Sequence, residues 1–332
     1  MSPTRLRKVG LIVPVIGLVC LSASGARRGP RPGAPVGPGP QRPANPENPA
    51  ELQLNYTFLT PGKTSMVKFT VLLPKTIAAR QEISAEYSPQ PSKIFNRNGS
   101  RYAEFVFRKP KKRFRVTVKI KAELSRYDLS TARRKGRQDN DKDLNLEPFL
   151  KHEKRIEKDD DQIRKIANAI KAQTKIDTVR QAYMYVLDNM EYGGFKEKDL
   201  GALDALKNKK GDCSEYTALF VALCRADDIP ARVVYGYTSD YKDTPKHAWA
   251  EVYLKKYGWV PFDPTRGDQD NRFIRDILFH TLEPIYIYLA DIHTDQLVGK
   301  GNYYKYWYWG DEVKVKESVK IKKTSAPPRN PR

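Results

Sequence analysis

Residues 211–237 read GDCSEYTALFVALCRADDIPARVVYGY, and this stretch decides the fold. Gly211 and Asp212 interrupt the chain, and an apolar run follows through Ala218, Leu219, Val221, Ala222 and Leu223. Asp is a helix-capping residue type, and Glu215 stands three positions after Asp212, the spacing of a capping box. Pro230 cannot continue a helix, so the helix is expected to end near Asp227 and Asp228. Cys213 then falls in the first helical turn, where the positive end of the helix favours an anion.

Cysteine arithmetic narrows the role of Cys213. The chain has three cysteines, and beyond the N-terminal Cys20 the only partner for Cys213 is Cys224. Eleven residues of helix rise about 16 Å. A disulfide needs Cα atoms within about 7 Å, so a continuous helix excludes the bridge. Two cysteines and four histidines show no metal-ligand spacing, and no cofactor is called for. Cys224 reads as an inert buried thiol. Taken alone, Cys213 reads the same way; the sequence downstream changes that.

Downstream, Lys246 opens KHAWAEVYLKKYGWVPFDPT. His247, Trp249, Glu251 and Tyr253 alternate with Ala248, Ala250, Val252 and Leu254, which is a strand with one polar-aromatic face and one small apolar face. After a turn at 255–258, Trp259, Pro261 and Asp263 alternate with Val260 and Phe262. If the turn has an odd number of residues, Trp249 pairs with Asp263. His247 then lies diagonal to Asp263 on the same face, within reach. An even turn sends the two side chains to opposite faces. In the odd register, His247 takes the proton of Cys213 and returns it to a leaving group, while Asp263 holds the imidazole. The Cys213 backbone N–H at the helix start is one oxyanion donor. Tyr192 or another polar group supplies the second.

The ordered set GDCSEYTALFVALCRADDIPARVVYGY, HAWAEVY and GWVPFDPT resembles the transglutaminase-like superfamily of papain-like cysteine enzymes, of the bacterial exported type. The likeness covers roughly residues 145–270 and includes the helical lead-in FLKHEKRIEKDDDQIRKIANAI. It implies an α+β fold, with the cysteine at a helix N-terminus packed against an antiparallel sheet, preceded by an all-β sandwich-like domain. It also implies a triad of Cys213, His247 and Asp263. The superfamily holds peptidases, amidases, glutamine–lysine cross-linkers and inactive scaffolds, and its active members share a thioester intermediate. Hydrolysis of a peptide or amide bond is the leading expectation, because water is the default acceptor. Amine transfer to glutamine and a non-catalytic envelope-binding module with a vestigial triad are the alternatives.

The rest of the chain is organised around this core. Arg5, Arg7 and Lys8 precede the apolar stretch 11–21 and the small residues Ala23 to Ala26, which reads as an export signal over 1–26. An N-terminal membrane anchor is the alternative; Cys20 fits a lipoprotein site poorly, since the bulky Val19 precedes it. Residues 27–50 are a Pro/Gly-rich spacer. From about 51 to 125 the period is two, as in Phe114, Val116, Val118 and Ile120, and Asn98-Gly99 reads as a hairpin turn, so 51–135 are expected to form the sandwich-like domain. Residues 126–143 are a charged boundary. Ile163, Ile166, Ala167 and Ile170, then Val179, Ala182, Tyr183, Val186 and Leu187, mark two amphipathic helices. Residues 271–315 are expected to extend the catalytic core with further strands, among them the aromatic run YYKYWYW from Tyr303. The last stretch, KVKESVKIKKTSAPPRNPR, is expected to start as an edge strand and to end as a basic tail, set at 316–332. His280 and His293 read as ordinary histidines, and Asn55 and Asn98 fit glycosylation sequons.

The net charge is +21, from 60 Lys and Arg against 39 Asp and Glu. Such a balance speaks to association with anionic surfaces, not to fold. No zinc-finger, RNA-binding or basic-zipper pattern points to nucleic acid. The expected partners are a protein or peptide substrate, in the cell envelope or outside the cell, and an anionic surface met through charge. The expected place is periplasmic or secreted.

Overall fold

The computed structural model describes residues 48–132, 144–195, 200–240, 245–290, 295, 297–299 and 302–323. The expected export signal, all but the last three residues of the spacer, and His293 lie outside these residues. Six strands come first: β1 (Asn48–Leu59), β2 (Thr64–Leu73), β3 (Gln81–Ser88), β4 (Lys93–Arg97), β5 (Ser100–Arg108) and β6 (Arg113–Leu124). A short β7 (Tyr127–Asp128) leads towards the helices α1 (Asp161–Ile170) and α2 (Lys175–Asn189). Then follow β8 (Glu191–Tyr192), α3 (Ala202–Asn208), β9 (Lys210–Gly211) and α4 (Cys213–Ala226). The second half holds β10 (Ala231–Thr238), β11 (Lys246–Leu254), β12 (Gly258–Phe262), α5 (Pro264–Gly267) and α6 (Arg272–His280). It closes with β13 (Thr281–Leu282), β14 (Tyr286–Ala290), β15 (Tyr304–Gly310) and β16 (Lys314–Lys323).

Alternation builds the first layer pair. In β6, Val116, Val118, Ile120 and Ala122 are buried while the arginines and lysines between them are exposed. The turn between β4 and β5 is Asn98-Gly99, with both residues at positive φ (49° and 78°). That is the geometry of a two-residue hairpin, which Asn and Gly tolerate best.

The sandwich is not closed by these six strands. One sheet runs β16-β1-β6-β3 and the other β15-β2-β5-β4. The last two strands of the chain therefore flank the first two, with Ala50 opposite Lys323 and Tyr304 opposite Val71. This corrects one expectation: residues 304–310 complete the sandwich rather than extending the catalytic core. The edge strand expected at the start of the last stretch forms as β16, and it runs on to Lys323, into residues expected as tail. The physical reason is one of edges: β1 and β2 carry apolar inner faces, and each would expose a row of backbone donors and acceptors without an outer neighbour. Of residues 126–143, expected as a boundary, Tyr127 and Asp128 pair with β13, and 133–143 lie outside the described residues.

Between the two parts of the sandwich sits the α+β unit, whose sheet runs β12-β11-β10-β14. All adjacent pairs in it are antiparallel. Helix α4 crosses this sheet, and every residue from Glu215 to Arg225 is buried. A helix apolar on all sides has to be covered on all sides. The sheet covers one side, with Ala248, Ala250 and Val252 of β11 in the same core as Leu219 and Leu223, and Val179, Tyr183 and Val186 of α2 join that core. Each buried Leu, Val or Phe contributes about 1.5–3 kcal/mol, so this core dominates the stability of the unit. Arg225 is buried too, donating to the Ala231 and Lys151 carbonyls and to Glu153 at 2.7–2.8 Å.

Candidate active site

Asp212 caps α4. Its side chain accepts from the Ser214 N–H at 2.8 Å, and Glu215 Oε2 accepts from the Asp212 N–H at 2.9 Å, closing the capping box. Gly211 makes room for that return: a Cβ there would lie 2.4 Å from the Glu215 Cβ. Cys213 is thereby fixed as the first helical residue, half-buried, with its N–H among those that have no acceptor within the helix. Thr217, one turn on, donates to the Ala248 carbonyl at 3.2 Å and ties this end of α4 to β11.

The register of β11 and β12 is the odd one. Leu254 pairs with Gly258 and Ala250 with Phe262, so the turn is 255–257 and Trp249 comes opposite Asp263. His247 and Asp263 meet diagonally, as the register requires, with Nε2 2.7 Å from Oδ2. Both are buried, at 4 % and 3 % exposure. The Cys213 thiol also acts on the same imidazole, favouring its charged form. The ring thus stands between a carboxylate and a thiol. Burial alone pushes the imidazole pKa down, but Asp263 and Cys213 reverse this and raise it to about 10. Burial likewise opposes charge on Asp263, yet His247, a tyrosine hydroxyl and a backbone N–H hold its carboxyl below the ordinary value. Cys224 is fully buried, and burial pushes its thiol well above the ordinary range.

Tyr192 stands in β8, which pairs in parallel with β9, opposite Gly211 and so beside the chain entering Cys213. It is half-exposed at 45 %.

A family profile described as the transglutaminase-like superfamily matches residues 164–264. The chain carries a transglutaminase-like domain. A solved structure, of a candidate cysteine protease from Cytophaga hutchinsonii, shares the fold with a TM-score of 0.57 at 18 % identity, over 84 % of this chain and 92 % of that one. Among curated proteins, the uncharacterised YebA of Bacillus subtilis is 39 % identical over 75 residues, covering 18 % of this chain and 10 % of YebA. The peptide-N(4)-(N-acetyl-beta-glucosaminyl)asparagine amidase of Drosophila melanogaster is 33 % identical over 78 residues, covering 23 % of this chain and 11 % of that protein. The chain therefore spans about a tenth of the length of these two curated relatives.

Two tyrosines in the transglutaminase-like domain and its C-terminal continuation escaped the sequence reading. Tyr286 of β14 donates to Asp263 Oδ2 at 2.6 Å, the same oxygen that meets His247, while the Arg266 N–H reaches Oδ1 at 3.0 Å. Tyr303, just before β15, donates to the Gly236 carbonyl at 3.0 Å and accepts from the His247 backbone N–H. Gly236 and His247 are opposite one another in β10 and β11, so the hydroxyl braces the histidine strand from outside. Gly236 has to be glycine, since a Cβ would lie 2.2 Å from the Ile287 carbonyl oxygen. A buried tyrosine in a strand looks like any core aromatic; the only local signal is the run of tyrosines that each strand contains.

Tyr286→Phe tests the first contact. A hydrogen bond to a charged group contributes about 1.5–3 kcal/mol, so the variant loses stability of that order. It also changes the acid side of the stability curve. Asp263 has a depressed folded pKa, so its contribution is present above the ordinary carboxylate range and is lost as pH falls through the folded value. Without the hydroxyl the folded value rises and the loss begins at higher pH. Thermal melts between about pH 2 and 7 read this directly. Parallel curves for wild type and variant would contradict the contact.

Proposed function

We propose that this chain is an exported cysteine hydrolase that cleaves peptide or amide bonds through a thioester on Cys213. One observation carries the reading: His247 is hydrogen-bonded to Asp263 at 2.7 Å, and Asp263 and Cys213 together favour its charged form. In the proposed cycle the Cys213 sulfur attacks the substrate carbonyl carbon. The Cys213 N–H and Tyr192 stabilise the oxyanion that forms. His247, held protonated beside Asp263, gives its proton to the leaving nitrogen, and the C–N bond breaks. A thioester remains and an amine departs. Water then attacks the thioester carbon, losing its proton to the now neutral His247, and the acid leaves as the thiol is restored. The structure of the candidate cysteine protease and the amidase among the relatives support hydrolysis by the names they carry. Export is supported by the sequence of residues 1–26.

The test is product analysis with unfolded protein and glutamine peptides, in the presence and absence of a labelled primary amine. New peptide ends or released ammonia without amine incorporation, both abolished by Cys213→Ala, are expected. Amine incorporation outrunning hydrolysis would replace the reading with acyl transfer. Turnover that survives Cys213→Ala would end it.

A further inference from the structure

The outward face of the sheet β16-β1-β6-β3 is a plane of positive charge assembled from the two ends of the chain. The register places Lys314, Leu59 and Arg113 in one row across three strands, and Lys316, Thr57 and Arg115 in the next. After the neutral row of Ser318, Asn55 and Thr117 come Lys320, Gln53 and Lys119, then Lys322, Glu51 and Lys121. All eight cations are exposed, while the residues between them in each strand turn inward. The cations form two lines about 10 Å apart, one on each side of β1, with neighbours along a line about 7 Å apart except across the neutral row, where the gap is about 14 Å. The same face carries four carboxylates, Glu51 on β1, Glu123 at the end of β6 opposite Glu82 of β3, and Glu86 opposite Lys119, so the eight cations outnumber them two to one.

We propose that this face docks on an anionic lipid bilayer. Charge complementarity argues for it: eight cations on one plane meet many headgroups at once, each contributing near an anionic surface. The face is broad and nearly without apolar groups, so the contact is electrostatic and superficial. Its outward strand positions carry no aromatic ring on which a nucleic-acid base would stack. Strand β16 joins this face to the catalytic site: Glu317, on its inward side, pairs with Lys246, the neighbour of His247. Docking through the plane thus holds the histidine strand at a fixed distance from the surface. The proposal does not depend on the chemistry assigned to Cys213.

Vesicle co-sedimentation of the full chain tests it. Vesicles of phosphatidylcholine with about 30 mol % phosphatidylglycerol are compared with phosphatidylcholine alone, at about 0.05 M and about 0.5 M salt. The chain is expected to sediment with the anionic vesicles at low salt only. Each neutralised cation weakens binding about fivefold, so the variant R115Q/K119Q/K316Q/K320Q binds several hundredfold more weakly. A control, K165Q/K207Q/K255Q/K256Q, removes as much charge from exposed positions elsewhere and retains most of the binding. Circular dichroism melts establish that both variants fold. Equal losses in the two variants, or no binding by wild type, would overturn the proposal. So would displacement of the chain from vesicles by soluble polyglutamate at equal charge concentration, which would make an acidic polymer the partner.

Discussion

Alanine in place of His247 is expected to slow alkylation of Cys213 by iodoacetamide about a hundredfold at pH 6. The argument rests on the pairing of the two side chains. A free thiol ionises near pH 8.5, so less than about 1 % is thiolate at pH 6. A neighbouring imidazolium favours the reacting anion of a thiol. His247 stays charged towards about pH 10, so that positive charge is present across the neutral range. Wild-type labelling should therefore stay fast down to about pH 6, and the variant should follow an ordinary thiol. Cys224, fully buried, serves as the unreactive control in the same mass spectra. The same shift has a stability consequence of definite sign. A raised folded pKa contributes stability that is complete below the unfolded value near 6.5 and is lost as pH rises towards about 10. The stability gap between wild type and His247→Ala should narrow over that window. Equal labelling rates in the two proteins would show that the contact does not activate the thiol.

Glu251→Ala is expected to cost about 3–5 kcal/mol, the range for removing one partner of a buried ion pair. Glu251 is 1 % exposed. Arg232, opposite it in β10, donates to Oε2 through Nε at 2.9 Å and through a terminal nitrogen at 2.6 Å. Arg80, between β2 and β3, donates to Oε1 and to the Trp259 carbonyl. The Arg232 guanidinium also lies 3.9 Å from the Trp259 ring centroid. Burial opposes charge on Glu251, and the two arginines win, holding its carboxyl below the ordinary value. Alanine leaves both guanidinium groups facing a low-dielectric gap. Arg80 is also the bridge from the sandwich to the sheet β12-β11-β10-β14, so the loss falls on both parts. Urea unfolding measures it; a change under about 1 kcal/mol would show that water replaces the carboxylate without penalty.

The positions of Cys213, His247 and Asp263 were legible because each lies in a contiguous run whose pattern sets its element. Asp212 and Glu215 announce the helix start, and alternation from His247 to Leu254 fixes a face. The one open choice was the parity of a turn, which a strand-pairing rule reduces to two outcomes. Tyr286 and Tyr303 were not legible, because their roles depend on which strands lie beside Asp263 and His247. The destination of the C-terminal strands was misread for the same reason. Pairing Ala50 with Lys323 joins residues at opposite ends of the described chain, and no local pattern in KVKESVKIKK names β1 as its neighbour.

The flanking of the first two strands by the last two also sets an order of events during synthesis. Among the described residues, β1 and β2 are made first as the chain emerges, and their outer neighbours come last, after the whole α+β unit. Until then two apolar strands stand at open edges, the condition that invites pairing with other chains. Tyr303, the brace on the histidine strand, arrives with that same final segment. A nascent chain can therefore hold Cys213, His247 and Asp263 and still lack the support that sets the imidazole. The site's residues are made early and braced last, when the sandwich shuts.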